Sequence, residues 1–329
     1  MRPPDPPPVA AAMKLLVDVQ NVTVRFRRKR NLRAMLTGGD VTFRAVADAD
    51  LAIYRQEVVG LVGESGSGKT TLGRTILRLY EPSEGVVVFD GEDITHLREH
   101  QLRRVWRHMA LVFQDPLSSL NPRHSIRTTL ATPLRITGTD GAEIEPRVIA
   151  ALRRVGLPSD ALDRYPHELS GGQLQRAALA RALMLSPALV IADEAVSKLD
   201  VSVRSQILNL FKDLQADLSI AFLFITHDLH VAAYLCDRIA VMFFGRVVET
   251  APAHELFRAP RHPYTRALLA TIDDTAEAPE TARRGLVDPE VRGCIYQSQC
   301  PRRVARCGDA HPPTMTVGND HTLACYNSG

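Results

Sequence analysis

From Lys14 to Phe26 the chain reads KLLVDVQNVTVRF, apolar and polar side chains alternating with the two-residue period of a half-buried strand. A second strand is predicted at Val46 to Ile53. The segment EVVGLVGESGSGKTTLGRTILRL follows, an apolar strand that runs into a glycine turn and then into a helix-period stretch from Lys69 onward. After the short strand ALVF, strand signals fade between about Pro116 and Glu168. Stretches such as VIAALRRVGL predict a mostly helical insert there. Strands resume at Ala188 to Ala192 and at Ala221 to Ile225, with a helix from about Val201 to Asp217 between them, which is βαβ logic and a parallel sheet. A hairpin around Gly245, in AVMFFGRVVE, closes this core. Beyond Ala259 the chain turns rich in Pro, Arg and Cys, and a second, smaller unit is expected there.

Composition supports one large core plus an appended unit: 329 residues, 45% hydrophobic and 23% charged. A formal charge of +3, with basic residues spread along the chain, does not suggest nucleic acid as a partner. Residues 1–12, MRPPDPPPVAAA, have no signal-peptide pattern and are expected to be a disordered tail, with Met13 a candidate start. The longest apolar run, Ile220 to Ile225, is far short of the roughly 20 residues of a membrane-crossing helix. Any membrane role is therefore expected to run through a partner. The basic run Arg25 to Arg33 reads as a solvated loop, with anionic lipid as the alternative. Five cysteines without a leader suggest a reducing compartment. Cys236 reads as a buried core thiol.

The segment Gly63-Glu64-Ser65-Gly66-Ser67-Gly68-Lys69-Thr70, followed by Thr71, fits the phosphate-loop pattern G-x-x-x-x-G-K-[ST] between a strand and a helix. Its glycines let backbone N–H groups turn toward phosphate, Lys69 adds a point charge, and the Thr70 hydroxyl suits Mg2+. The strand ending Ala192-Asp193-Glu194 carries two carboxylates; in the same sheet as a phosphate loop, Asp193 is expected to hold Mg2+ through water and Glu194 to polarise the attacking water. Leu169-Ser170-Gly171-Gly172-Gln173, ahead of a helix expected from Leu174 to Leu185, makes a second anion-binding helix N-terminus.

Together with Gln114 after ALVF and His227 after FLFIT, these motifs resemble the ATP-binding cassette (ABC) ATPase family throughout residues 13–255. The resemblance implies an α/β P-loop NTPase core with a mixed or parallel sheet, an antiparallel β subdomain, and a helical subdomain inserted at about 115–168. It implies that Leu169, Ser170, Gly171, Gly172 and Gln173 cap the γ-phosphate held by a second ATPase subunit, identical or homologous. Gln114 is implied to contact Mg2+ and the lytic water and to report to a membrane partner, and His227 to steady the γ-phosphate. Phe26 is the best match for an adenine-stacking aromatic, with Phe43 its rival. Ser197 and Asp200 match the segment at the dimer seam, where Lys198 replaces the family's usual alanine. That lysine points either to solvent or across the seam.

The tail narrows the resemblance. PRHPYTRALL at 260–269, GCIYQSQCPRRVARC at 293–307 and FQDPLSSLNPR at 113–123 resemble ATPase subunits of oligopeptide and dipeptide permeases, with residues 256–329 as their C-terminal extension. Cys294, Cys300, Cys307 and Cys325 lack the tight C-x2-C pairs of most zinc sites, and Pro301 follows Cys300 as in ferredoxins. A 4Fe-4S cluster ranks first, zinc second, and four unrelated thiols are the plain alternative. The expected protein is a peripheral ATPase at the cytoplasmic face of the cell membrane, using ATP and Mg2+. It would pair with two transmembrane permease subunits and, indirectly, an extracytoplasmic solute-binding protein, to import peptides or a related solute such as nickel. The rival is an ABC ATPase acting on DNA, ribosomes or iron–sulfur assembly.

Overall fold

A computed structural model describes residues 14–27, 42–271, 292–318 and 320–327. The expected N-terminal tail, Met13 and residues 28–33 of the basic run lie outside the described residues. In chain order come β1 (Leu15–Arg27), β2 (Thr42–Tyr54), β3 (Val58–Val62), α1 (Lys69–Ile76), β4 (Glu84–Phe89) and β5 (Glu92–Asp93). Then follow α2 (Glu99–Val105), β6 (Met109–Val112), α3 (Pro116–Ser119), α4 (Ile126–Ile136), α5 (Gly141–Arg154), α6 (Gly171–Leu183), β7 (Leu189–Asp193), α7 (Val201–Leu218) and β8 (Ala221–Thr226). The last elements are α8 (Leu229–Leu235), β9 (Arg238–Phe243), β10 (Arg246–Pro252), α9 (Ala253–Arg258), α10 (Pro263–Ala270), β11 (Met315–Gly318) and β12 (His321–Leu323). The chain divides into two compact units, one of residues 1–54, 59–97 and 227–329, the other of residues 55–58 and 98–226.

In the first unit, β2, β1, β4 and β5 form an antiparallel sheet in that order. The alternation read from residues 14–26 corresponds to β1, whose Leu16, Val17, Val19, Val22 and Val24 are buried. β3 pairs in parallel with β9, and β9, β10, β12 and β11 continue as antiparallel neighbours. Every residue of β3 and of β9 is buried, as expected of strands covered on both faces. The hairpin turn at Phe244 and Gly245 has φ of 40° and 87°, the left-handed pair that matches the twist of the flanking strands. In the segment beyond Ala259, β12 adds to β10 through Glu249↔Leu323 and Thr250↔Thr322.

In the second unit β6, β7 and β8 run parallel. All residues of β7 and β8 are buried, and α7 presents Ile207, Leu208, Leu210, Phe211 and Leu214 as its apolar stripe. Phe211 meets Phe222 and Phe224 of β8 edge-on, with ring centroids 5.6 and 5.3 Å away. Such pairs add about 1 kcal/mol each beyond area burial. Between β6 and β7 the described chain passes only through helices and turns. Pro133 and Pro146 sit within α4 and α5 without ending either helix. Strands β4, β5, β11 and β12 and helix α2 have no counterpart in the sequence reading. They are short, and their pattern is dictated by partners rather than by periodicity.

Candidate functional site

In the first unit, buried β3 delivers the chain into residues 63–70 and then into α1, whose N-cap is Gly68. Lys69 is almost fully buried at 5% exposure. Its ammonium donates to Gly63 O at 2.7 Å, Glu64 O at 2.8 Å and Ser67 Oγ at 3.5 Å. A charge so buried persists only when its donors are satisfied, and here the loop's own oxygens do it. Ser65 and Gly66 are exposed, while Thr70 and Thr71 are half-buried at the first turn. Gly63 and Gly68 are obligatory. A Cβ on Gly63 would lie 2.1 Å from Met242 O, and one on Gly68, at φ +104°, would lie 2.3 Å from Ala45 O. The loop is braced by a Gly245 N–H bond to Ser67 O at 2.7 Å. The outcome is a glycine turn leading into a helix N-terminus with one buried lysine, an arrangement that can hold phosphate.

In the second unit, β7 carries Asp193 to its end, 6% exposed, with half-buried Glu194 next to it. Glu194 has φ 49°, a left-handed conformation that a long side chain adopts only when its surroundings impose it. Its N–H donates to Ile225 O of β8 at 2.9 Å, and its carbonyl accepts from Ser197 Oγ at 2.9 Å. Gln114, just beyond β6, donates from Nε2 to Glu194 Oε2 at 2.7 Å and reaches Ser197 Oγ at 3.5 Å. The structure thus brings together Gln114, Glu194 and Ser197, residues spread over 83 positions. Lys198 turns to Asp115, its ammonium 3.6 Å from the carboxylate, and both are exposed. Such a surface pair is worth about 0–1 kcal/mol.

The helix expected from Leu174 starts earlier, at Gly171, with Ser170 as its N-cap. Ser170 Oγ accepts from Gln173 N at 3.3 Å, and Gln173 Oε1 accepts from Ser170 N at 3.0 Å. This reciprocal capping box was legible as Ser-Gly-Gly-Gln but read only as a small-residue turn. Leu169 is buried beneath it, while Ser170 and Gly171 are exposed. Asp200 is the N-cap of α7 and exposed, and His227 lies exposed just after β8. In the first unit, Phe26 is half-buried, 5.8 Å from the Phe43 ring and edge-on to Tyr80 at 5.2 Å. Phe43 is the more exposed at 44%.

Of the tail cysteines, Cys294, Cys307 and Cys325 are buried and Cys300 is half-buried. Cys294 N–H donates to Cys307 O at 2.8 Å, and Cys325 Sγ donates to Asn327 O at 3.3 Å. Burial pushes the Cys294 thiol up to about 11, and the neighbouring thiols of Cys307, Cys325 and Cys300 push it further in the same direction. Burial raises Cys300 and Cys325 as well. Among the described residues no group of three or more His, Cys, Asp or Glu side chains is placed to hold a metal ion, so the expectation of a metal site receives no support. A single zinc ion needs four ligands within about 2.3 Å of one point.

Among the described residues no helix is long and apolar enough to cross a membrane. Residues 46–197 match the ABC transporter family, and residues 248–307 match the oligopeptide/dipeptide transporter C-terminal region. A Brucella ovis protein whose name describes a peptide import ATP-binding protein is 45% identical over 86% of this chain and 92% of its own length. The oligopeptide transport ATP-binding protein AppF of Bacillus subtilis is 39% identical over 96% of this chain and 98% of its own. Among solved structures, the dimeric ATP-binding cassette MJ0796 bound to ADP and Pi is similar with a TM-score of 0.64 and 29% identity, over 72% of this chain and 99% of that one. With a phosphate loop braced around Lys69, a carboxylate pair at the end of β7 and near full-length similarity of this order, the chain is an ABC ATPase and belongs to the ATP-binding subunits of the oligopeptide/dipeptide ABC transporter family.

Proposed function

We propose that this chain energises an importer of peptides, or of a related solute such as nickel, by hydrolysing Mg-ATP at the cytoplasmic face of the cell membrane. The match of its C-terminal region to the oligopeptide/dipeptide family carries the solute class. The Gln114–Glu194 hydrogen bond of 2.7 Å carries the chemistry. Residues 63–71 and the N-terminus of α1 bind the phosphates, with Lys69 supplying charge. Thr70 and Asp193 hold Mg2+, the latter through water. Glu194 polarises the attacking water, Gln114 contacts Mg2+ and that water, and His227 steadies the γ-phosphate. The Gln114 amide donates to the carboxylate that must accept the water's proton and so orients it. Phe26 stacks on adenine, with Phe43 as the competing ring.

The capped turn at Leu169 to Gln173 serves a nucleotide held by a second ATPase subunit, identical or homologous, with Ser197 and Asp200 at the seam. Two transmembrane permease subunits complete the assembly, and a solute-binding protein delivers cargo outside. The helical stretch at about 115–168 works as a subdomain that transmits closure to the permease. A cavity of about 920 Å³ in the second unit, lined by Trp106, Met109, Leu111, Ile136 and Leu185 among others, suits a short helix of that partner. In the extension, Cys294, Cys300, Cys307 and Cys325 would be the ligands of an iron–sulfur cluster, a reading that rests on their spacing and on Pro301 after Cys300. Bound there, it would tie the extension together through those thiolates.

Glu194→Gln is the decisive variant. ATP binding stays within about threefold of wild type while turnover falls by about 100-fold or more, as removal of a group acting only in the transition state requires. Turnover within a few-fold of wild type would remove Glu194 from the base role.

A further inference from the structure

One peptide unit joins the phosphate loop to the C-terminal extension. The carbonyl of Gly63 accepts from the Lys69 ammonium at 2.7 Å, and the N–H of the same planar peptide, that of Glu64, donates to the Tyr264 hydroxyl at 3.3 Å. In a trans peptide the carbonyl and the N–H point in opposite directions. A group that fixes one therefore aims the other. Tyr264 belongs to α10, two hundred positions along the chain from Glu64, and lies outside every nucleotide motif read from the sequence.

The hydroxyl is held with little freedom. Tyr264 is 1% exposed, its ring 4.4 Å from Phe243 and 5.6 Å from Tyr296, and its own N–H donates to His262 Nδ1 at 3.0 Å. His262 N–H donates in turn to Glu249 of β10 at 2.9 Å, as does Arg261 N–H at 2.8 Å. Phe243 ends β9, one residue before the Phe244–Gly245 turn whose Gly245 N–H braces Ser67 O. The loop is thus tethered at two points, at Glu64 from the extension and at Ser67 from the hairpin.

We propose that Tyr264 is a positioning residue for ATP binding: its hydroxyl orients the Gly63–Glu64 peptide and through it holds the Lys69 ammonium in place for the phosphates. The proposal rests on the reading of residues 63–70 as the phosphate site. Tyr264→Phe keeps the ring packing and deletes only the acceptor. In the full-length chain, KM for ATP and the dissociation constant of a fluorescent ATP analogue rise about three- to tenfold, the range of one net hydrogen bond, with kcat within twofold. A residue with only a packing role would lower melting temperature and the active fraction, hence kcat, at unchanged KM. That pattern overturns the proposal.

Lys69→Ala run in parallel separates the two levels of the argument. If it loses ATP binding while Tyr264→Phe binds normally, the positioning role fails and the phosphate site stands. If Lys69→Ala binds ATP like wild type, the phosphate-site reading fails and takes this proposal with it. Should Tyr264→Phe not fold, hydrogen exchange on the wild-type chain without nucleotide decides. The Glu64 amide is expected to be protected at least about tenfold relative to its rate in the unfolded chain, and exchange of Glu64 at the unfolded-chain rate overturns the proposal.

Discussion

Gly68 has no room for a side chain. Its φ of +104° and the Ala45 carbonyl 2.3 Å from an added Cβ leave both backbone and space closed to any other residue. Gly68→Ala is expected to lower stability by about 1–3 kcal/mol and to weaken ATP binding at least tenfold, because relief of the clash must rotate the amides at the start of α1. Denaturant unfolding and ATP titration check both numbers. A variant that binds ATP normally would show that the loop tolerates a different path. The glycine was legible in the pattern G-x-x-x-x-G-K-T, but its reason was not. Ala45 lies on β2, and no local rule places a β2 carbonyl over the loop. Glu194 is similar: its carboxylate could be read from its place after an apolar strand, whereas its φ of 49° and its bond to Gln114 depend on β6, β7 and β8 meeting.

At the scale of elements, β10 anchors the extension. Glu249, with no side-chain exposure, accepts from His321 Nε2 of β12 at 2.8 Å and from the N–H groups of Arg261 and His262 ahead of α10. Burial pushes the Glu249 carboxyl up, but these hydrogen bonds outweigh it and hold it below the usual carboxylate range. Burial also lowers His262 to about 4, the nearby Glu249 charge opposing that only in part. Burial and the Arg246 charge lower His311 to about 4. A histidine whose folded value lies below its unfolded value of about 6.5 favours folding fully above that pH and loses the contribution as pH falls toward 4. Melting temperature is therefore expected to drop between pH 6.5 and 4, with a slope of up to about 1.4 kcal/mol per pH unit for each histidine. His262→Asn, which keeps an acceptor for the Tyr264 N–H, is expected to flatten that slope. An equally steep profile would assign the dependence elsewhere.

For the whole molecule, two measurements bear on its assembly. Anaerobically purified protein is expected to contain about four iron and four sulfide per chain; stoichiometric zinc without visible absorbance would replace the cluster, and metal-free protein would leave four packed thiols. From membranes the chain is expected to co-purify with hydrophobic permease subunits, whereas a complex found only with DNA, ribosomes or assembly factors would favour a different branch of ABC ATPases. Strands β1, β2, β3, β7 and β8, helix α7, the phosphate loop, the carboxylates after β7 and the Ser-Gly-Gly-Gln turn were open to reading along the chain, because each rests on local periodicity or on a motif whose chemistry needs contiguous residues. Contacts between distant segments were not. The addition of β12 to β10, the capture of Lys198 by Asp115, the Gln114–Glu194 pair and the Tyr264 hydroxyl at the Glu64 amide were decided only by tertiary structure, since hydrogen bonds across such separations depend on how buried strands and aromatic rings pack and leave no periodic trace in the residues that make them.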